Sequence, residues 1–103
     1  MFGATGVDLT DEDRGSGAHT LRVARDAVAR CIEAGRFRPA EPWVLTRQSW
    51  CLAHGLASLE LAGFHGDPAT GDTDFRAHLT NFAVGAGDDL TRARASIADA
   101  FAA

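Results

Sequence analysis

Six side chains in this sequence are of the types that hold metals or act as nucleophiles and bases: Cys31, Cys51, His19, His54, His65 and His78. Zinc sites usually announce themselves by close-set Cys and His ligands. Cys51-x-x-His54 places two such residues on one face of a helix, but no second pair of recognisable spacing follows. A Cys–His dyad would also need an activated thiolate in a cleft and a group to orient the base. Cys51 instead falls in the middle of an apolar stretch, where a thiol behaves as a small buried hydrophobe. The sequence has no Gly-rich phosphate loop, no Gly-x-Ser-x-Gly elbow and no His-Glu-x-x-His pair. Asp11-Glu12-Asp13 reads as a solvated acidic cluster. The expectation is a non-enzymatic protein with no catalytic residues, no cofactor and no metal.

Composition narrows the class further. The chain has 103 residues, enough for one domain. Its apolar fraction of 46% suits a globular fold, and its charged fraction of 23% argues against wholesale disorder. All ten basic residues are Arg, and the net charge is −4. That balance argues against this chain alone coating a nucleic acid, because neutralising phosphates needs a clustered basic surface. No apolar run approaches the length of a membrane span, and no signal peptide is visible, so the expected location is the cytoplasm. Two thiols of unrelated spacing then read as reduced. A chain of this size buries only about 65% of its unfolded surface, so a partner is expected to contribute to its stability.

Apolar periodicity predicts an all-α fold with no strand, repeat or low-complexity segment. Residues 1–17 are Gly- and Asp-rich and read as a loop or helix remnant. A helix over about 18–34 carries Leu21, Ala24, Val28, Cys31 and Ile32 on one stripe, with Asp26 and Arg30 paired beside it. Gly35 closes it. A second helix over about 42–62 starts at Pro42 and stops at Gly63. Trp43, Val44, Leu45, Trp50, Leu52, Leu56, Leu59 and Leu61 cannot share one stripe of it. A helix apolar nearly all round must be covered on more than one side, which points to a second subunit. Within it, Trp50, His54 and the mid-helix Gly55 read as a helix-crossing point. His54 is expected to be buried and paired with a neighbouring carbonyl or side chain, or else to line a pocket. Residues 64–73 read as a turn region, followed by helices over about 74–86 and 89–102.

The run Trp50-Cys51-Leu52-Ala53-His54-Gly55-Leu56-Ala57-Ser58-Leu59-Glu60-Leu61-Ala62-Gly63 resembles the C-terminal domain of TetR/AcrR-family transcriptional regulators of the Trp-x-x-x-His-Gly type. Ile32-Glu33-Ala34-Gly35-Arg36-Phe37, with its following Pro loop, and Met1-Phe2-Gly3 are similar to that domain too. The resemblance covers about residues 1–87. It implies an antiparallel helical bundle that senses a small apolar effector and pairs as a homodimer through a four-helix bundle. The implied pairing surface is Leu52, Leu56, Leu59, Phe75, Leu79 and Phe82. Ligand-binding candidates are Trp50, His54, Phe37, Phe64 and Arg47. Full regulators of this family carry an N-terminal helix-turn-helix module, and no basic recognition helix is found in these residues. DNA would be reached only through such a module, outside this chain, and no membrane is involved. The alternative is a stand-alone helical module for small-ligand binding or protein interaction, with no role on DNA.

Overall fold

In a computed structural model, which describes residues 11–102, four helices follow one another with no strand among the described residues. They are α1 (Asp11–Glu33), α2 (Pro42–Leu61), α3 (Pro68–Gly85) and α4 (Leu90–Ala102). Helix α1 packs on α2 and α3 on α4, while α2 and α3 meet along a shorter line. Met1-Phe2-Gly3 lies outside the described residues.

Two helix starts differ from the sequence expectation. Residues 11–17 belong to α1 rather than to a loop. Gly15 and Gly17 each cost about 1 kcal/mol against Ala, which weakens a helix without forbidding it. The Thr20 hydroxyl donates to the Ser16 carbonyl at 2.9 Å, as a helical turn requires. Helix α3 begins at Pro68 rather than at residue 74. Asp67-Pro68 is a cap and first turn: the Asp67 carboxylate accepts from the Thr70 N–H at 3.0 Å, and Pro68 gives up a donor that had no partner. Asp26 lies 3.2 Å from Arg25 rather than pairing with Arg30.

The helix ends share one device. After α1, α2 and α3 the chain turns through Gly35, Gly63 and Gly87, each at positive φ. In each turn the residue after the glycine donates five residues back, Arg36 to Cys31, Phe64 to Leu59 and Asp88 to Ala83, all at 3.0 Å. This is the Schellman arrangement, which satisfies carbonyls the helix leaves unpaired.

Two of these turns lock together. The Arg36 guanidinium donates to both Asp88 carboxylate oxygens, from Nε at 2.8 Å and from Nη2 at 2.7 Å, and the same Nη2 reaches the Ser96 hydroxyl at 3.3 Å. The Asp88 side chain is only 4% exposed. Beside this pair the Arg38 N–H donates to the Ala86 carbonyl at 2.8 Å. Gly87 is required twice over: its φ is +118°, and a Cβ there would stand 2.8 Å from the Arg38 backbone nitrogen. Val28, Leu45 and Ala86 form the core at this junction, with Ile32, Phe37 and Phe82 packed on it. The Phe37 and Phe82 rings meet edge to face, with centroids 6.2 Å apart.

Hydrogen bonds from Arg36 hold the Asp88 carboxyl below its ordinary range, and the Thr70 N–H does the same for Asp67. Both carboxyls bind protons less readily folded than unfolded. Their stabilisation is present at neutral pH and declines as pH falls through and below the ordinary carboxylate value of about 3.9. Thermal melts should therefore show a Tm falling between pH 6 and pH 3. Asp88→Asn should lower the Tm at pH 6 and flatten that dependence. In denaturant titrations, Leu45→Ala should cost about 2–5 kcal/mol and Gly87→Ala about 1–3 kcal/mol.

Candidate functional site

Between them α2 and α3 form a half-open cavity of about 420 Å³. Helix α2 lines it with Ala53, Leu56, Ala57 and Glu60, a stripe at helical spacing. Helix α3 contributes Pro68, Gly71, Asp72 and Phe75, and the connecting turn contributes His65. The volume falls within the range of small-molecule pockets, and apolar walls with a few convergent polar groups are their usual make-up.

The polar groups are held by the local fold. His65 follows the Phe64 position of the α2 terminal turn, which sends its ring between the two helices. Its side chain is 5% exposed. Nδ1 lies 3.1 Å from Glu60 Oε2 and Nε2 lies 3.1 Å from Asp74 Oδ2. The Nδ1 atom is buried without a hydrogen-bond partner, because the ring's N–H direction misses the Glu60 oxygen. The Glu60 carboxylate rests over Gly71, in space that a side chain at 71 would fill. Asp72 is occupied by Arg76, whose Nε donates to it at 2.9 Å. Phe75 is backed by Phe101 of α4, edge to face at 5.8 Å, and the Arg76 guanidinium stacks 4.4 Å from the same Phe101 ring.

None of the five ligand candidates read from the sequence lines this cavity. Phe37 packs on Phe82 in the core. Phe64 is 67% exposed. Arg47 lines a shallow depression with Val44, Gln48 and Cys51. His54 is exposed rather than buried. Its Nδ1 donates to the Trp50 carbonyl at 2.8 Å, and its ring lies 4.8 Å from the Trp50 ring, so one turn of its own helix satisfies it. Cys51 is likewise an exposed free thiol, not a buried hydrophobe. The expected crossing at Gly55 is not made among the described residues, where no atom outside its own helix segment lies within 4 Å of where its Cβ would stand.

Of the six candidate pairing residues, Leu56 and Phe75 line the cavity and Phe82 packs on the protomer's core. Leu52 and Leu79 are half-buried and Leu59 is exposed. The sequence reading missed His65, Glu60 and Asp74. A His between Gly63 and Gly66 looked like part of a turn, and only the angle between α2 and α3 buries it. Among the described residues no group of three or more His, Cys, Asp or Glu is placed to hold a metal ion. No helix among them is long and apolar enough to cross a membrane.

A family model described as "Tetracyclin repressor-like, C-terminal domain" matches residues 1–82. The chain belongs to this family. No curated protein and no solved structure matches it. The TetR-like C-terminal domain is a regulatory, effector-binding domain, and such domains generally dimerise. In this TetR-like domain the matched stretch contains all of α2, the α2–α3 turn and most of α3, which together build the cavity.

The two histidines of the TetR-like domain should respond differently to truncation. By denaturant unfolding, His54→Ala should cost less than about 1 kcal/mol, since its ring is exposed and bonded only within α2. His65→Ala should cost about 1–3 kcal/mol, since it empties a buried position between two carboxylates.

Proposed function

We propose that this chain is the sensing and pairing domain of a TetR-like transcriptional repressor, acting in the cytoplasm as a homodimer. The observation that carries this reading is the cavity between α2 and α3, with its apolar walls and buried His65. The effector occupies that cavity. Trp50 and His54 sit one turn away on α2 and serve the shape of that helix rather than contacting the effector. DNA is reached through a helix-turn-helix module that these 103 residues do not supply. Effector binding at the α2–α3 junction would favour one of two arrangements of the pair, and so change the spacing of the DNA-reading modules.

Two features of α2 support the homodimer. Leu59 and Leu61 are 42% and 91% exposed, an apolar surface that a monomer leaves in water. Gly55 lies between Leu52 and Leu59 on a face of α2 open to space. A mid-helix Gly costs about 1 kcal/mol against Ala, and a close approach by a partner helix would account for it. Leu52, Leu59 and Leu79 are the proposed pairing residues that remain once the cavity and core have taken Leu56, Phe75 and Phe82.

Sedimentation velocity at micromolar concentration should show a species of twice 10.9 kDa. Leu59→Glu should convert it to monomer while helicity by circular dichroism is retained. A monomer in the unsubstituted protein would refute the pairing. Separately, the neutral dye Nile red should bind with one equivalent per chain. Ala53→Phe, which fills the cavity, should abolish that binding, and unchanged uptake would place the effector site elsewhere.

A further inference from the structure

Helix α4 lies beyond residues 1–82, the stretch that matches the TetR-like domain, yet it backs one wall of the cavity. Its start is fixed: the Asp89 carboxylate accepts from the Arg92 N–H at 3.0 Å, and Arg36 reaches Ser96 at 3.3 Å. Ala93, Ile97 and Phe101 follow at intervals of four along one side of the helix, each buried or half-buried. Phe101 ends that row and touches two residues of α3. One is Phe75, the largest apolar side chain in the cavity wall, whose ring meets Phe101 edge to face at 5.8 Å. The other is Arg76, whose guanidinium lies 4.4 Å from the centre of the Phe101 ring. Arg76 does not line the cavity, but its Nε donates at 2.9 Å to Asp72, which does. The Arg76 and Asp72 side chains are 41% and 47% exposed, and a pair so exposed is weakly held when it stands alone. The Phe101 face gives the guanidinium a second partner and restricts the directions in which it can turn.

We propose that Phe101 is a positioning residue for the effector cavity: it fixes the Phe75 wall, and it holds Arg76 on Asp72 so that the cavity discriminates against cationic ligands. This inference rests on the reading of the α2–α3 cavity as the effector site. With Arg76 in place, the Asp72 charge is offset within α3. With Arg76 swung away, the cavity wall carries a free carboxylate and draws a cation more strongly. The charge preference of a site between α2 and α3 is thus set by a side chain of α4 that the ligand does not touch.

Two dyes that share a ring system, neutral Nile red and cationic Nile blue, read the two effects in fluorescence titrations at pH 7, with circular dichroism confirming that each variant is folded. Phe101→Leu keeps an apolar side chain behind Phe75 but offers no face to the guanidinium. It should shift the ratio of the two affinities toward the cation by about two- to fivefold. Arg76→Gln should shift the ratio the same way at least as far, and adding Phe101→Leu to it should shift the ratio no further. Phe101→Tyr keeps the ring and should leave the ratio unchanged. Phe101→Ala empties the space behind Phe75 and should weaken both dyes by at least about threefold. A role confined to stability would weaken both dyes alike in Phe101→Leu. That result, or a ratio that does not move, would overturn the Phe101 proposal, and the cavity stands as the effector site if Ala53→Phe still blocks Nile red. If Ala53→Phe leaves Nile red uptake unchanged, the cavity reading falls and the Phe101 proposal falls with it.

Discussion

The fold depends on an ion pair made by two helix ends. Arg36 follows the terminal turn of α1 and Asp88 follows that of α3, and the two meet in a bidentate pair across 52 residues of sequence. Neither helix would present its residue correctly without a glycine in the preceding turn. The same contact places the Arg38 N–H on the Ala86 carbonyl and brings Phe37 onto Phe82. It therefore joins the α1–α2 hairpin to the α3–α4 hairpin at one end. A planar guanidinium is suited to this, since two parallel hydrogen bonds set direction as well as distance. The partly buried setting makes the pair more a device for geometry than a large net stabiliser.

At the other end of α2 and α3 the link is different: a short turn joins the helices, and its His65 stands between Glu60 and Asp74. The core of Val28, Leu45 and Ala86 lies near the clamp. Further along, the small side chains of Ala53 and Ala57 leave room between α2 and α3, while Gly71 makes way for Glu60. A domain with its core at one end and a cavity at the other suits the sensing role proposed above. A ligand in the proposed effector cavity could bias the angle between α2 and α3 without breaking the core.

Much of this was legible in the sequence. The α1 stripe and its Gly35 ending, the span of α2 and, among the described residues, the absence of strands follow from local periodicity and cap chemistry, and the structure has them. The early start of α3 was also written locally, in Asp67-Pro68, but a dipeptide that caps a helix is the same dipeptide that makes a turn. Gly71 tipped the sequence reading toward a turn, whereas in the fold it makes way for Glu60. The candidate site was far less legible. The Trp50–His54 run is conspicuous in sequence, yet its polar contacts are satisfied within one helical turn. The residues that do converge, Glu60, His65 and Asp74, have no motif spacing to announce them.

The sequence by itself determined an all-helical, acidic, non-repeating chain with glycine-closed helices and more apolar surface on α2 than one neighbour can cover. Those properties are set within a few residues, by the 3.6-residue period and by the freedom of glycine to take positive φ. Tertiary structure alone decided that Arg36 finds Asp88, that His54 faces water and that His65 is buried between two carboxylates. Burial and ion pairing depend on the angle at which helices cross. That angle comes from the packing of side chains far apart in the chain, which no local pattern encodes.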